Sequence, residues 1–153
     1  MPTLSTPTLT LGNTVSNKRD VTVAGNITFD AGDVGKTYRL EIKVFGEDLS
    51  GDKLPASDAV GDDLLYTYNW TAPFLFLPKP YKTITVTAAG SVSYSEKRAI
   101  SNVTLDEDPG TVSHIVGGVL IQMPRSDEVY ANVTLSGAPV SARTATVSAG
   151  IGV

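Results

Sequence analysis

Apolar and polar residues alternate along most of the chain, and this period of two predicts β-strands. The clearest run, KTYRLEIKVFG at residues 36–46, places apolar side chains on one face and charged ones on the other. The apolar set is Tyr38, Leu40, Ile42 and Val44, and the charged set is Arg39, Glu41 and Lys43. Similar alternation occurs in LLYTYNWT at 64–71, KTITVTA at 82–88 and RTATVSAGIGV at 143–153. Each run is expected to turn one face toward a core and the other toward water.

Turn-forming residues separate these runs at short intervals. They include GNT, DAGDVG, PKP, AAGS, DEDPG, PRSD and SGAP. This spacing is typical of all-β sandwiches and barrels, and no amphipathic helical period competes with it. The pattern therefore predicts one all-β domain over residues 1–153, an antiparallel β-sandwich with about eight to ten strands.

One short phrase recurs three times, as GNITFDAG at 25–32, SNVTLDED at 101–108 and ANVTLSGA at 131–138. Each copy is predicted to be the end of a strand that leads into a turn. Ile or Val and then Phe or Leu would face inward, while Asn and Thr would face outward. The phrase is too short to establish an internal repeat, because Thr and Val are common in any strand.

Both ends of the chain have the composition of strands, with TLTLGN near the start and TATVSAGIGV at the finish. Termini usually fray unless another element holds them. The segments 1–15 and 144–153 are therefore candidates for pairing with the sheet edge of another copy, and pairing within their own sandwich is the alternative. Outward apolar residues at Phe45, Leu65 and 74–77 also indicate a surface that another chain covers.

Residues that carry chemistry are few, with one histidine and no cysteine. The lack of cysteine excludes disulfides and thiolate metal sites. Ser113 and His114 are neighbours in sequence, but adjacent residues do not form a triad, and no known nucleophile or nucleotide-binding motif occurs. We therefore expect no enzymatic activity.

Charge and hydropathy exclude further classes. The net charge is −4 and the basic residues are scattered, so we expect no nucleic-acid binding. No basic and apolar leader is present, and no apolar run approaches the ~20 residues of a membrane helix. The expected location is the cytoplasm or an assembled particle.

Carboxylates cluster in two stretches between predicted strands. Residues 46–63 contain six of the sixteen acidic residues, and residues 106–108 contain three more. Calcium takes ~6–8 oxygen ligands and tolerates irregular geometry. The two stretches are therefore either calcium-binding loops or solvated turns, in which Asp and Gly are favoured for conformational reasons.

The two acidic stretches resemble the calcium-binding loops of C2 domains. In YRLEIKVFGEDLSGDKLPASDAV an alternating strand leads to Asp52, and Ser57-Asp58 follows at the spacing of that family. In DEDPGTVSHIVG the Asp-x-Asp pair is Asp106 and Asp108, and Ile115-Val116-Gly117 matches the apolar ending. The resemblance implies that Asp52, Asp58, Asp106 and Asp108 bind calcium and that the module docks onto anionic phospholipid. It also makes a C2-like sandwich the alternative to an immunoglobulin-like one.

Two hypotheses of function result. The first is a non-enzymatic structural or adhesive module that needs no cofactor and acts through self-assembly or protein–protein contacts at its sheet edges. The second is the calcium-dependent C2-like module, which binds phospholipid or another partner through residues 46–63 and 106–117. The first predicts homo-oligomers that do not respond to a chelator.

Overall fold

The computed structural model describes residues 1–47, 62–71, 77–106, 111–124, 127–137 and 140–151. These residues contain fourteen strand segments, one 3₁₀ turn at Ala31–Asp33 and one helical turn at Asn102–Leu105. The strands are β1 (Thr3–Leu4), β2 (Thr8–Leu11), β3 (Lys18–Phe29), β4 (Thr37–Gly46), β5 (Asp63–Thr67), β6 (Trp70–Thr71), β7 (Pro78–Lys79), β8 (Lys82–Thr85), β9 (Gly90–Ser101), β10 (Thr111–Val116), β11 (Val119–Pro124), β12 (Asp127–Ser136), β13 (Val140–Arg143) and β14 (Val147–Ala149). In the described residues, no helix has the length and apolar character needed to cross a membrane.

The first sheet is built around β3. Strand β9 pairs antiparallel with β3 along its whole length, from Lys18 opposite Ser101 to Phe29 opposite Gly90. The other edge of β3 pairs with β1 and β2, which lie one after the other along it. The inward residues of β3 are fully or almost fully buried: Val21, Val23, Ile27 and Phe29.

The second sheet is built around the antiparallel pair of β4 and β12. Strands β5 and β8 share the outer edge of β4, and β13 and β14 share the outer edge of β12. The alternation predicted for β4 is confirmed, because Tyr38, Leu40, Ile42 and Val44 are all buried. The facing residues of β12 are buried too: Val129, Ala131, Val133 and Leu135. The prediction of an all-β antiparallel sandwich is therefore confirmed.

Polar contacts join the two sheets inside this apolar core. Tyr68 directly follows β5. Its hydroxyl donates a 2.6 Å hydrogen bond to the backbone oxygen of Val21 in the first sheet. Glu96 on β9 accepts a 2.7 Å bond from Lys82 on β8 and a 3.3 Å bond from the Trp70 indole. Glu96 is almost fully buried, and these donors compensate the cost of removing its charge from water.

The strand prediction for SNVTLDED is wrong. Residues Asn102–Leu105 form a helical turn in which Val103 is 84% exposed and Leu105 is fully buried. The first and third copies of the phrase do end strands β3 and β12 with the predicted alternation. The difference arises because the chain leaves β9 at Ser101 and must change direction, and context overrides the weak strand preference of four residues.

The terminal segments pair within their own chain. Strands β1 and β2 add to β3, and β14 adds to β12. Beyond β14, Ile151 is buried and its N–H donates to the Asp127 carboxylate at 3.1 Å. Pairing of 1–15 or 144–153 with another copy stays a prediction, and it would have to use edges that these internal pairs leave open.

Gly25 occupies an inward position of β3, between Val23 and Ile27, and the ring of Tyr94 on β9 fills its space. A Cβ at Gly25 would lie 2.5 Å from the Tyr94 hydroxyl and 2.8 Å from its Cζ. Gly25→Ala should therefore lower the free energy of unfolding by about 1–3 kcal/mol through overpacking. Urea denaturation of the wild type and the variant measures this loss.

The Tyr94 ring supplies a control for this prediction. Within the described residues its buried hydroxyl has no hydrogen-bond partner, so Tyr94→Phe should leave stability unchanged or raise it by about 1 kcal/mol. In a Tyr94→Ala background the added methyl group at Gly25 has room, and its cost should almost vanish. An equal cost of Gly25→Ala in both backgrounds would show that the ring is not the cause.

Candidate protein-binding hairpin

Strands β10 and β11 form a β-hairpin that pairs only with itself in the part of the chain that the structure describes. The register runs from Thr111 opposite Pro124 to Val116 opposite Val119. Gly117 and Gly118 make the two-residue turn, with φ of 60° and 81°. A tight hairpin turn of this type needs positive φ at both central positions, which glycine adopts without strain.

The tip of this hairpin is apolar and exposed on both faces. Ile115 and Leu120 pair across the strands on one face. Val116 and Val119 pair on the other face, and Ile121 lies on that same face, two residues after Val119. These five side chains are between 41% and 76% exposed, and every described side chain from 113 to 122 is exposed. A hairpin that lay against its own domain would bury the side chains of one face. The described side chains of this hairpin, 113–122, are exposed on both faces.

The hairpin also differs in charge from the rest of the protein. Its sequence, TVSHIVGGVLIQMP, contains no Asp, Glu, Lys or Arg, in a chain with 28 such residues. The polar side chains Ser113 and Gln122 lie opposite each other, farther from the turn than the apolar pairs. One polar pair therefore borders the apolar tip, as expected of a contact surface with a wet rim.

An open, uncharged cleft lies elsewhere on the sandwich. Its volume is about 400 Å³, and it is lined by Phe29 and by residues 84–92, which lead from β8 into β9. Among the lining residues Val86 and Phe29 are buried, and Val92 is 46% exposed. This volume falls within the usual range of binding pockets, although the cleft is open rather than enclosed.

The predicted calcium ligands lie mostly outside the described residues. Asp52, Asp58 and Asp108 are outside these residues, and Asp106 is the one that the structure describes. The backbone N–H of Asp106 donates to the Asn102 carbonyl at 2.8 Å, at the end of the helical turn. In the described ranges no group of three or more acidic, histidine or cysteine side chains could hold a metal. The calcium site stays a prediction.

His114 and Ile115-Val116 lie in strand β10 and Gly117 lies in its turn, although the sequence suggested that this stretch belongs to a loop. That interpretation of residues 111–116 is wrong. The physical reason is that Gly117-Gly118 lets TVSHIV pair with VLIQMP directly. His114 is exposed, and its strand partner is Ile121, so no acid faces it across the hairpin.

Two further contacts of titratable groups lie within the sandwich. Hydrogen bonds from Thr146 and then from Arg143 lower the pKa of Glu47 and tie the end of β4 to the C-terminal segment. The Tyr38 hydroxyl donates a 2.7 Å bond to the buried Asp33. Neither group borders the cleft or the hairpin.

Two of the outward apolar residues named from the sequence, Phe45 and Leu65, are partly covered. Phe45 is half-buried and stacks on Tyr130 with 5.5 Å between ring centroids, and Leu65 packs against the core. Residues 74–76 lie outside the described part, and Leu77 is exposed. The sequence interpretation missed residues 115–121, yet two apolar runs around Gly-Gly are a recognisable hairpin signal.

Comparison with known proteins adds no functional assignment. No family model, no curated protein and no solved structure matches the chain. The hairpin and the cleft are therefore interpreted from their own chemistry.

Proposed function

We propose that the chain is a non-enzymatic β-sandwich module that acts by protein–protein contact, and that copies of it self-associate through the β10–β11 hairpin. The observation that supports this most is the exposure of apolar side chains on both faces of the hairpin tip. A scattered exposed Leu or Val needs no explanation, but five contiguous ones on a projecting element mark a contact surface.

Burial of the tip supplies free energy of the right size for association. The five side chains are on average about 60% exposed, so covering them gains roughly 5–9 kcal/mol, at about 1.5–3 kcal/mol for each fully exposed aliphatic side chain. Association costs roughly 4–15 kcal/mol in lost translational and rotational freedom. Both faces of the tip must therefore be covered for a stable complex, so the partner surface should enclose the hairpin rather than lie flat against it.

The hairpin backbone adds a second kind of contact. Strands β10 and β11 each pair on one side only in the described residues, so each presents an open edge. Open edges accept further strands through main-chain hydrogen bonds. This supports the hypothesis of contacts at sheet edges, and the exposed apolar side chains beside these edges are the reason for choosing the hairpin over the terminal strands.

The test is a measurement of mass by sedimentation equilibrium over a wide range of protein concentration. The wild type should increase in mass with concentration, and Ile115→Asn with Leu120→Asn should remain a monomer. Both substitutions fall on exposed positions of one face, so the fold should persist. The control is Val103→Asn, which changes an even more exposed apolar residue outside the hairpin and should behave as the wild type.

A wild type that stays monomeric at every concentration would overturn self-association. An oligomer that forms equally in the hairpin variant would place the contact elsewhere. A chelator should leave the wild-type mass unchanged, since the hairpin has no carboxylates.

A further inference from the structure

The hairpin joins the sandwich at the end opposite to the cleft. Strand β4 runs from Thr37, which pairs with Thr85 beside the cleft, to Gly46, which pairs with Val129 near the start of β12. Ten residues of strand span about 33 Å. The hairpin returns to the body at the start of β12, since only two residues separate Pro124 from Asp127.

The same arrangement is visible on the first sheet. Gly90 starts the 12-residue strand β9 at the cleft, opposite Phe29, and Ser101 ends it opposite Lys18. The helical turn and then the hairpin follow from that far end. The exposure of Val92 and of residues 113–122 shows that the hairpin does not fill the cleft of its own chain.

Hairpin and cleft have matching chemistry. None of the ten cleft residues is charged, and none of the hairpin residues from 111 to 124 is an acid, a lysine or an arginine. Two copies of a chain with net charge −4 repel each other wherever their charged surfaces meet. Contact between these two neutral surfaces avoids that repulsion and leaves no charge buried without a partner.

We infer that the cleft formed by Phe29 and residues 84–92 receives the tip of the β10–β11 hairpin from a second copy of the chain. The inference rests on the proposed self-association and specifies its geometry. Because the two surfaces differ, the contact is heterologous, and every added copy presents a new hairpin at one end and a new cleft at the other. The product is an open chain or a closed ring, and the smallest possible ring is a dimer in which each hairpin occupies the cleft of the other copy.

The size of the contact sets its strength. A standard stable interface uses ~20–30 residues on each side, and the hairpin offers ten described exposed residues, from 113 to 122. A contact of this size is weak, so the average mass should rise gradually over a wide range of concentration.

A lipid surface is the competing occupant of an apolar hairpin tip. Surface-bound elements typically carry Lys or Arg beside their apolar residues and Trp or Tyr at the boundary, and the hairpin sequence has none of these. The net negative charge of the chain also opposes approach to anionic lipid. The chemistry therefore favours a neutral protein cleft.

The experiment uses complementary variants of the full chain. Val92→Lys places a charge in the cleft at an exposed position, and Ile115→Asn with Leu120→Asn removes the apolar tip. Each variant alone should be monomeric at concentrations where the wild type associates. Their equimolar mixture should form a dimer and nothing larger. The intact hairpin of Val92→Lys would enter the intact cleft of the hairpin variant, and the two altered surfaces that remain free would bind no further copy.

Val34→Lys is the matched control, because Val34 has the same residue type and the same 46% exposure as Val92 but does not line the cleft. It should associate as the wild type does. Association of Val92→Lys at wild-type strength would overturn the cleft assignment while leaving hairpin-mediated self-association standing. A monomeric wild type would overturn both.

Two further outcomes would also overturn the cleft assignment. A mixture of the two variants that remains monomeric would show that an intact hairpin does not bind an intact cleft, whereas association of Val92→Lys alone would indicate contact between two hairpins. Flotation of the wild type with neutral phosphatidylcholine vesicles, abolished by the hairpin variant and unchanged by Val92→Lys, would assign the hairpin to a lipid surface.

Discussion

Replacing Tyr68 with alanine is expected to lower the free energy of unfolding by about 3–5 kcal/mol. Tyr68 is fully buried, and among the described residues it is the largest side chain that is. Its ring lies edge-on to Tyr66 and beside Trp70, and the Arg98 guanidinium lies 5.2 Å from its centre. Truncation would leave a cavity where the two sheets meet, because none of these neighbours can move without losing its own contacts.

Tyr68→Phe distinguishes the contribution of the hydroxyl to stability from that of the ring. The hydroxyl donates to the Val21 backbone oxygen at 2.6 Å, and Val21 is itself fully buried. The phenylalanine variant should therefore lose about 1–2 kcal/mol, since it removes the donor to a buried carbonyl and keeps the packing. Urea denaturation followed by circular dichroism measures both losses, and Tyr66→Ala, at a half-buried site, is the control. Equal losses for Tyr68→Ala and Tyr68→Phe would contradict the cavity argument.

The central strands were predictable from sequence because one face of each is buried and the other is wet. Tyr38, Leu40, Ile42 and Val44 show this in β4, where tertiary structure and local pattern agree. The pattern fails where the chain changes direction. LLYTYNWT looks like one strand, but the structure breaks it at Tyr68-Asn69 between β5 and β6, because Tyr68 is used to join the sheets.

The candidate site was less predictable for a different reason. IVGGVLI shows no alternation, since consecutive apolar residues occupy both faces of the hairpin. A single sequence cannot distinguish such a run from a strand buried on both faces. The cleft was not predictable at all, because Phe29 and Val92 come together only through the pairing of β3 with β9.

Raising the pH from about 9 to about 12 is expected to destabilise the protein steeply, because four buried tyrosines hold their protons more tightly when folded. Burial raises the pKa of Tyr94 to about 12, and burial together with a 2.6 Å hydrogen bond to Asp62 does the same for Tyr130. The hydrogen bond to Asp33, and then burial, raises the pKa of Tyr38 to about 12. Burial raises the pKa of Tyr68 as well.

In the unfolded chain a tyrosine ionises near pH ~10. Below that pH both states keep the proton, so the stabilisation from these tyrosines is fully present. Between pH ~10 and the raised folded pKa values, the unfolded state releases protons that the folded state retains, and stability falls as the pH rises. A single buried tyrosine such as Tyr94 then costs up to about 1.4 kcal/mol per pH unit.

Urea denaturation at stepped pH, with tyrosinate absorbance recorded in parallel, measures this loss. Tyr94→Phe is the informative variant, because its hydroxyl has no hydrogen-bond partner in the described residues and its removal should cost nothing at pH ~8. The slope of stability against pH above pH ~10 should become shallower in this variant by the contribution of one proton. An unchanged slope would mean that Tyr94 ionises in the folded state as readily as in the unfolded chain, which its burial between β3 and β9 argues against.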